Sequence, residues 1–127
     1  MNLTAVRSIE KVNVAEKLKG IEDYWNPRII GELNGQQVKL VKLKGEFSWH
    51  HHEKEDEMFL VVKGRLRIEF QDSHVRLDEG ELVVVPRGVE HRPVAEEETH
   101  VLLFEPTSTL NTGNVRNGRT REKLQRI

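Results

Sequence analysis

The sequence predicts an all-β sandwich or barrel. From Pro27 onward the chain is a succession of short apolar or alternating runs, each closed by glycine, proline, asparagine or a charged turn residue. One junction, Asn34-Gly35, is the strongest short hairpin signal a sequence carries. Helix signals are confined to residues 1–20.

Taken in order, Asn13 is placed to cap a short helix, with Glu16 three residues later completing a capping box. Val14, Ala15 and Leu18 give that helix a small apolar stripe, and Gly20 ends it. Residues 28–33 read as a strand leading into the Asn34-Gly35 turn, and 38–43 as its successor, stopping at Gly45. Residues 47–52 read as a further strand, and 58–62 as another, ending at Lys63-Gly64. Leu66, Ile68 and Phe70 alternate with Arg65, Arg67 and Glu69, the period-two pattern of a half-buried strand. Residues 71–74 read as a turn, Val75 and Leu77 as a short strand, and 82–85 as a strand ended by Pro86. The last strong run is 100–104, closed by Glu105-Pro106, and Glu96-Glu97-Glu98 before it reads as a loop. There is neither an internal repeat nor a dividing linker. At roughly 100–200 residues per domain, the 127 residues predict one domain: a helix and lead-in over 1–26, a β-barrel over 27–106 and a tail over 107–127.

Composition narrows the function. Lys+Arg is 20 and Asp+Glu is 21, a net charge of -1, which excludes a polyanion binder driven by bulk charge and predicts no nucleic-acid partner. With no cysteine there is no disulfide scaffold, no thiolate metal site and no thiol catalysis. Any metal must be held by nitrogen and oxygen. No run approaches the about 18 apolar residues of a membrane span, and residues 1–20 hold no signal-peptide core. The expected location is the cytoplasm, away from membranes. After Leu110 the turn formers Asn111-Thr112-Gly113-Asn114 and Asn117-Gly118 precede Arg116, Arg119, Arg121, Lys123 and Arg126, set against the single Glu122. This segment reads as a solvated, partly mobile terminus. The sharper alternative is a basic arm folded over an anionic ligand or docked on a second subunit.

The histidines carry the chemistry. In a strand, His50 and His52 face one side and His51 the other, and two imidazoles at i and i+2 are spaced to chelate a divalent ion. Glu57 lies at an odd spacing from His52, on the wrong face of a continuous strand. A turn at the charged residues 53–56 lets it open the next strand facing the pair. His91 follows the turn former Pro86-Arg87-Gly88 and can bring in a third imidazole.

The segment GEFSWHHHEKEDEMFLVVKG, residues 45–64, resembles the first conserved motif of the cupin superfamily. The segment GELVVVPRGVEHRPVA, residues 80–95, resembles the second. Their order and the short interval between them resemble small single-domain cupins. The resemblance implies a double-stranded β-helix, or jelly-roll barrel, and it implies that His50, His52, Glu57 and His91 are metal ligands. Two departures stand out. Four residues separate Gly45 from His50 where the family has five, which leaves His51 as an alternative ligand, although its partner would then be Glu53. Ala95 stands where the family often has asparagine. Gly64 and Gly88 are expected in tight turns, with a positive φ or close backbone packing.

Three imidazoles and a carboxylate suit a divalent Fe, Mn, Ni, Zn, Co or Cu ion, with positions left open for water, substrate or dioxygen. Strand alternation puts Glu46 and Ser48 on the ligand face, so Glu46 or His100 is a candidate general base. Phe47, Trp49 and His51 are expected to face away, the aromatics packing on a second sheet or a partner. Arg65, Arg67 and Arg76 read as a solvated face. Because small cupins of this type are likened to mannose-6-phosphate isomerase, the expected function is a metal-dependent enzyme on a small oxygenated metabolite, with a carbohydrate or sugar-phosphate isomerase or epimerase first. The alternatives are a non-catalytic binder of a small molecule or metal, and an iron-dependent dioxygenase. A homodimer is expected.

Overall fold

The computed structural model of the protein describes residues 9–127. Among these residues one six-residue helix, α1 (Val14–Lys19), precedes seven strands: β1 (Arg28–Leu33), β2 (Gln36–Glu46), β3 (Glu57–Lys63), β4 (Leu66–Glu69), β5 (His74–Leu77), β6 (Leu82–Val85) and β7 (Arg92–Pro106). Asn13 Oδ1 accepts a hydrogen bond from Glu16 N at 3.0 Å and caps α1, and Gly20 closes it. Asn34 and Gly35 both take positive φ, 49° and 75°, as a two-residue hairpin between β1 and β2 requires.

The strands pair antiparallel in the order β1-β2-β7-β3-β6, with β4 attached to β7 and β5 to β4. β7 binds the two halves together. Its first residues pair with β4 and the end of β2, and its last pair with β2 and β3. Inside lies the core, with Val41, Leu43, Phe59, Val61, Ile68, Val101 and Leu103 among its residues. On the outer face, α1 lays Leu18 over Leu40, together with Ile21.

Three segments depart from the sequence reading. Residues 47–52 form no strand among the described residues. The β2–β7 register slips between Leu43 and Gly45, Gly45 takes φ 87°, and only an isolated bridge remains at His50. The chain therefore turns inward, and Phe47, expected outside, is buried and stacked on Trp25 with ring centroids 4.7 Å apart. Glu96, Glu97 and Glu98 lie within β7 and not in a loop; each is exposed, and Glu96 bonds to Arg67 across the pleat. The tail is not a loose terminus. It runs back along β1, where Ile29 N donates to Gln125 O at 2.9 Å and Ile127 N donates to Ile29 O at 3.1 Å. Thr112 is fully buried.

Candidate metal centre

The site forms where the two histidine segments meet. His50 N donates to His91 O at 3.0 Å and His91 N to His50 O at 2.9 Å, a closed antiparallel pair of backbone bonds. Gly88, at φ 80°, turns the chain so that its N–H reaches His52 O at 2.8 Å. This backbone lattice brings the three imidazoles together, with centroids 4.4 Å apart for His50 and His91, 5.0 Å for His50 and His52, and 5.8 Å for His52 and His91. Asp56 Oδ1 accepts from Arg87 N at 2.9 Å, which fixes the charged loop so that Glu57 opens β3 facing inward.

One donor atom from each of His50, His52, Glu57 and His91 lies within 4.8 Å of the others, and all four residues are buried. His50 Nδ1 and His91 Nδ1 bond to the carbonyls of Ser48 and Val89 at 2.8 and 2.9 Å. An acceptor at Nδ1 places the proton there and leaves the Nε2 lone pair for the cluster. His52 Nε2 and His91 Nε2 each stand 3.4 Å from Glu57 Oε1, and these three buried atoms have no hydrogen-bond partner. Buried polar atoms are nearly always satisfied. Three that converge on one point, with a nitrogen and oxygen donor set, fit a divalent transition ion.

Electrostatics agree. Burial first, then the neighbouring His91, pushes the His50 imidazole down to about 4, so it is neutral at ordinary pH. Burial opposes ionisation of Glu57, but the neighbouring Glu105, His52 and His91 outweigh it and hold the carboxyl well below its usual range. His50 and Glu57 are thus held as a neutral imidazole and a carboxylate, the protonation states a cation needs.

The other expected residues fall elsewhere. The Glu46 side chain is 63% exposed and pairs with Arg92 at 3.0 Å, because the chain turns inward only after it. His100 shares the outward phase of Leu102 on β7; it lies 2.8 Å from Glu98 Oε2 and lines a surface hollow with Leu18 and Lys19. Neither is brought to the cluster. His51 turns outward to Glu90 Oε2 at 2.9 Å. Trp49 is partly exposed under the Arg92 guanidinium, 5.1 Å from its ring centre.

Two residues at the site were not anticipated. Val101, Leu103 and Glu105 alternate inward along β7, so Glu105 enters the core, where Lys39 Nζ meets its Oε1 at 2.8 Å. The signal was the same two-residue period that made 100–104 a strand, carried one step further. Beside the cluster is a cavity of about 40 Å³ lined by His50, Glu57, Glu105 and a mostly apolar wall including Trp25, Phe47 and Phe59. The tail roofs this region. Asn111 lines the cavity, Asn114 Oδ1 accepts from His51 N at 2.8 Å, and the Arg119 guanidinium lies 5.6 Å from the Trp25 ring and 5.7 Å from that of Phe47.

The chain is 45% identical to a cupin-2 domain protein of Shewanella frigidimarina, over 75% of this chain and 93% of that one, with a TM-score of 0.74. It is 37% identical to the protein NMB1881 of Neisseria meningitidis, over 77% of this chain and all of that one, with a TM-score of 0.71. Among curated proteins it is 39% identical to YdbB of Bacillus subtilis over 64 residues, half of this chain, and the match spans 57% of that relative. The family model described as "Cupin domain" matches residues 38–105, and the chain belongs to the cupin family.

Proposed function

We propose that the protein is a metal-dependent enzyme acting on a small oxygenated metabolite at the centre formed by His50, His52, Glu57 and His91. The observation that carries this reading is the convergence of three unpartnered buried atoms, two imidazole nitrogens and one carboxylate oxygen. A bound ion would supply Lewis-acid polarisation or, as iron, dioxygen chemistry. The chain's own part is to hold four donors together, keep the His50 imidazole neutral and exclude bulk water with the tail.

The cavity lends support to one of the reactions the ligand set allows. A carbohydrate needs several polar partners for its hydroxyls. The polar lining is confined to His50, Glu57, Glu105 and Asn111; Trp25, Val41, Leu43, Phe47, Phe59 and Leu103 offer no partner apart from the Trp25 N–H, which already donates to Lys44 O at 2.9 Å. Its volume of about 40 Å³ is a few water molecules' worth, at roughly 10–15 Å³ each. A small oxygen ligand at the ion with an apolar body behind it suits this wall. An iron-dependent dioxygenase, which takes dioxygen as oxidant and places both its atoms in the product, is therefore favoured over a carbohydrate isomerase. The test is metal analysis of protein purified without tag or chelator, followed by anaerobic loading with Fe(II) and exposure to nitric oxide. Iron in the isolated protein and a paramagnetic iron–nitrosyl signal support oxygen chemistry. Zinc or manganese with no nitrosyl signal moves the assignment to isomerase or lyase chemistry.

We further propose that two copies pair through the outer sheet face. Val38, Phe104, Met58 and Val84 form one cross-strand row, and Leu40, Leu102, Leu60 and Leu82 the next. α1 covers only the Leu40 end, leaving Leu82 55% and Val84 52% exposed. A two-fold axis sets a patch against itself, so an uncharged patch meets no like charge there.

A further inference from the structure

Arg119 is a cation beside the cavity with no carboxylate to neutralise it. Its guanidinium lies over Trp25 and Phe47, two buried rings of the cavity wall, and is itself exposed, so it stands between that wall and solvent. Among the described residues no carboxyl pairs with it. Glu46 turns its side chain to Arg92 and gives Arg119 only its backbone oxygen, which accepts from Nη1 at 2.6 Å. The Nε and Nη2 edge of the fork is left without a partner. The neighbouring tail arginines differ: Arg116 pairs with Glu122, Arg126 pairs with Glu32, and Arg121 lines a separate hollow with Ile29 and Thr109. The strap is also tied down without this charge. Arg119 N donates to Asn117 Oδ1, Asn111 Nδ2 donates to Arg119 O, and Asn117 Nδ2 donates to Ser48 Oγ, each at 2.8 Å. Asn111 itself lines the cavity, so the wall and the guanidinium are set by one side chain. Trp25 takes φ 59°, a backbone conformation rare for a bulky residue, and strain of this kind gathers at ligand sites.

We propose that Arg119 is the anion receptor of this cavity, and that the molecule it admits is a small organic acid: its carboxylate lies on the free edge of the guanidinium and its apolar body runs along Trp25 and Phe47 toward the histidines. This deepens the metal reading above and rests on it for the inner end of the molecule. The path is short, 5.7 Å from the guanidinium to the Phe47 ring centre and 5.4 Å from there to the His50 ring. The orientation follows from charge. Glu57 and Glu105 line the inner end and repel an anion, so the carboxylate belongs at the rim. A planar fork with one free edge matches one planar carboxylate. A phosphate would call for further donors, and the cavity lining holds neither lysine nor arginine to supply them.

The test titrates the isotope-labelled full chain, once loaded with Zn(II) and once chelated, with butyrate, its neutral isostere butyramide and inorganic phosphate at constant ionic strength. The NMR signals of the Arg119 Nε–H, identified by its loss in Arg119→Gln, and of the Trp25 indole N–H are the readouts. Butyrate is expected to shift both signals saturably, and butyramide to bind about 10–100-fold more weakly, as loss of a charged hydrogen-bond partner predicts. Arg119→Gln should lower butyrate affinity by a similar factor with Zn(II) content unchanged, and Arg119→Lys, which keeps the charge without the fork, should recover part of it. A mere latch predicts equal binding of butyrate and butyramide, or unchanged butyrate affinity in Arg119→Gln, and either result overturns the proposal. So does tighter binding of phosphate than of butyrate, or butyrate bound to the loaded protein with the Arg119 signal unmoved, which would place the carboxylate on the ion. If Arg119→Gln does not fold, the comparison of butyrate with butyramide in the wild type decides alone. Failure of the wild type to take up Zn(II) defeats the metal reading, and is distinguishable because the chelated protein reports the Arg119 subsite without it.

Discussion

His52 and His91 each contribute one unpartnered nitrogen to the cluster, so removing either should strip the metal while leaving the barrel folded. His52→Ala and His91→Ala are expected to lose bound metal on elemental analysis and keep the wild-type far-ultraviolet circular dichroism; unchanged stoichiometry in either refutes its assignment. Chelation of the wild type returns three buried atoms to their unsatisfied state, at about 1–3 kcal/mol each, and should lower the melting temperature. The metal-free protein should also be acid-sensitive for a reason located at His50. Its folded pKa is depressed from 6.5 to about 4, so between those values the unfolded chain binds a proton that the native one does not. Stability from this group is fully present above pH 6.5, falls as pH drops, and levels out below 4. Urea unfolding of chelated protein at pH 7 and pH 5 should differ by about 2 kcal/mol, and His50→Gln should remove most of that difference. The four candidate ligands were legible because their spacing matched a family pattern. Glu105 and Lys39 were not, because a buried charge looks like a surface charge until the strand's phase is known. Glu46 and His100 were misplaced for the same reason.

At the scale of elements, the helix cap, the Asn34-Gly35 hairpin and every strand that obeys alternation could be read from local chemistry. The segment 47–52 could not, because a positive-φ glycine at 45 resets which side chains face inward, and that reset depends on the β7 strand paired with it. The tail could not be read either. Its order comes from long-range contacts: Asn114 with His51, Asn117 with Ser48, and Arg119 with Glu46 O. Gly113 seats the strap. It takes φ 58°, and a Cβ there would overlap the His51 carbonyl oxygen and crowd the His50 ring. Gly113→Ala should lift the strap without melting the barrel, since a strained substitution costs about 1–3 kcal/mol. Trypsin cleavage after Arg116, Arg119 and Arg121 should become about tenfold faster, as expected when cleavage tracks local opening. An unchanged cleavage rate would mean that the glycine does not hold the strap down.

The whole molecule has two apolar surfaces with different fates. The inner one closes on itself as the core beneath the candidate metal centre, so strand alternation alone nearly specifies it. The outer one is only partly covered, since α1 is six residues long and reaches only the Leu40 side of the two cross-strand rows. β6 ends the sheet path, and Leu82 and Val84 point outward there with half of their surface in water. Fully burying such a side chain is worth about 1.5–3 kcal/mol, so covering both, twice over in a symmetric pair, offers several kilocalories toward association. Replacing either with glutamate would set a charge against its own copy across the two-fold axis. Leu82→Glu and Val84→Glu are therefore expected to yield monomers by light scattering during size-exclusion chromatography, with barrel fold and metal content unchanged because both residues face away from the core. A wild-type protein that is monomeric at high concentration, or variants that remain dimeric, would show that this face is not the contact.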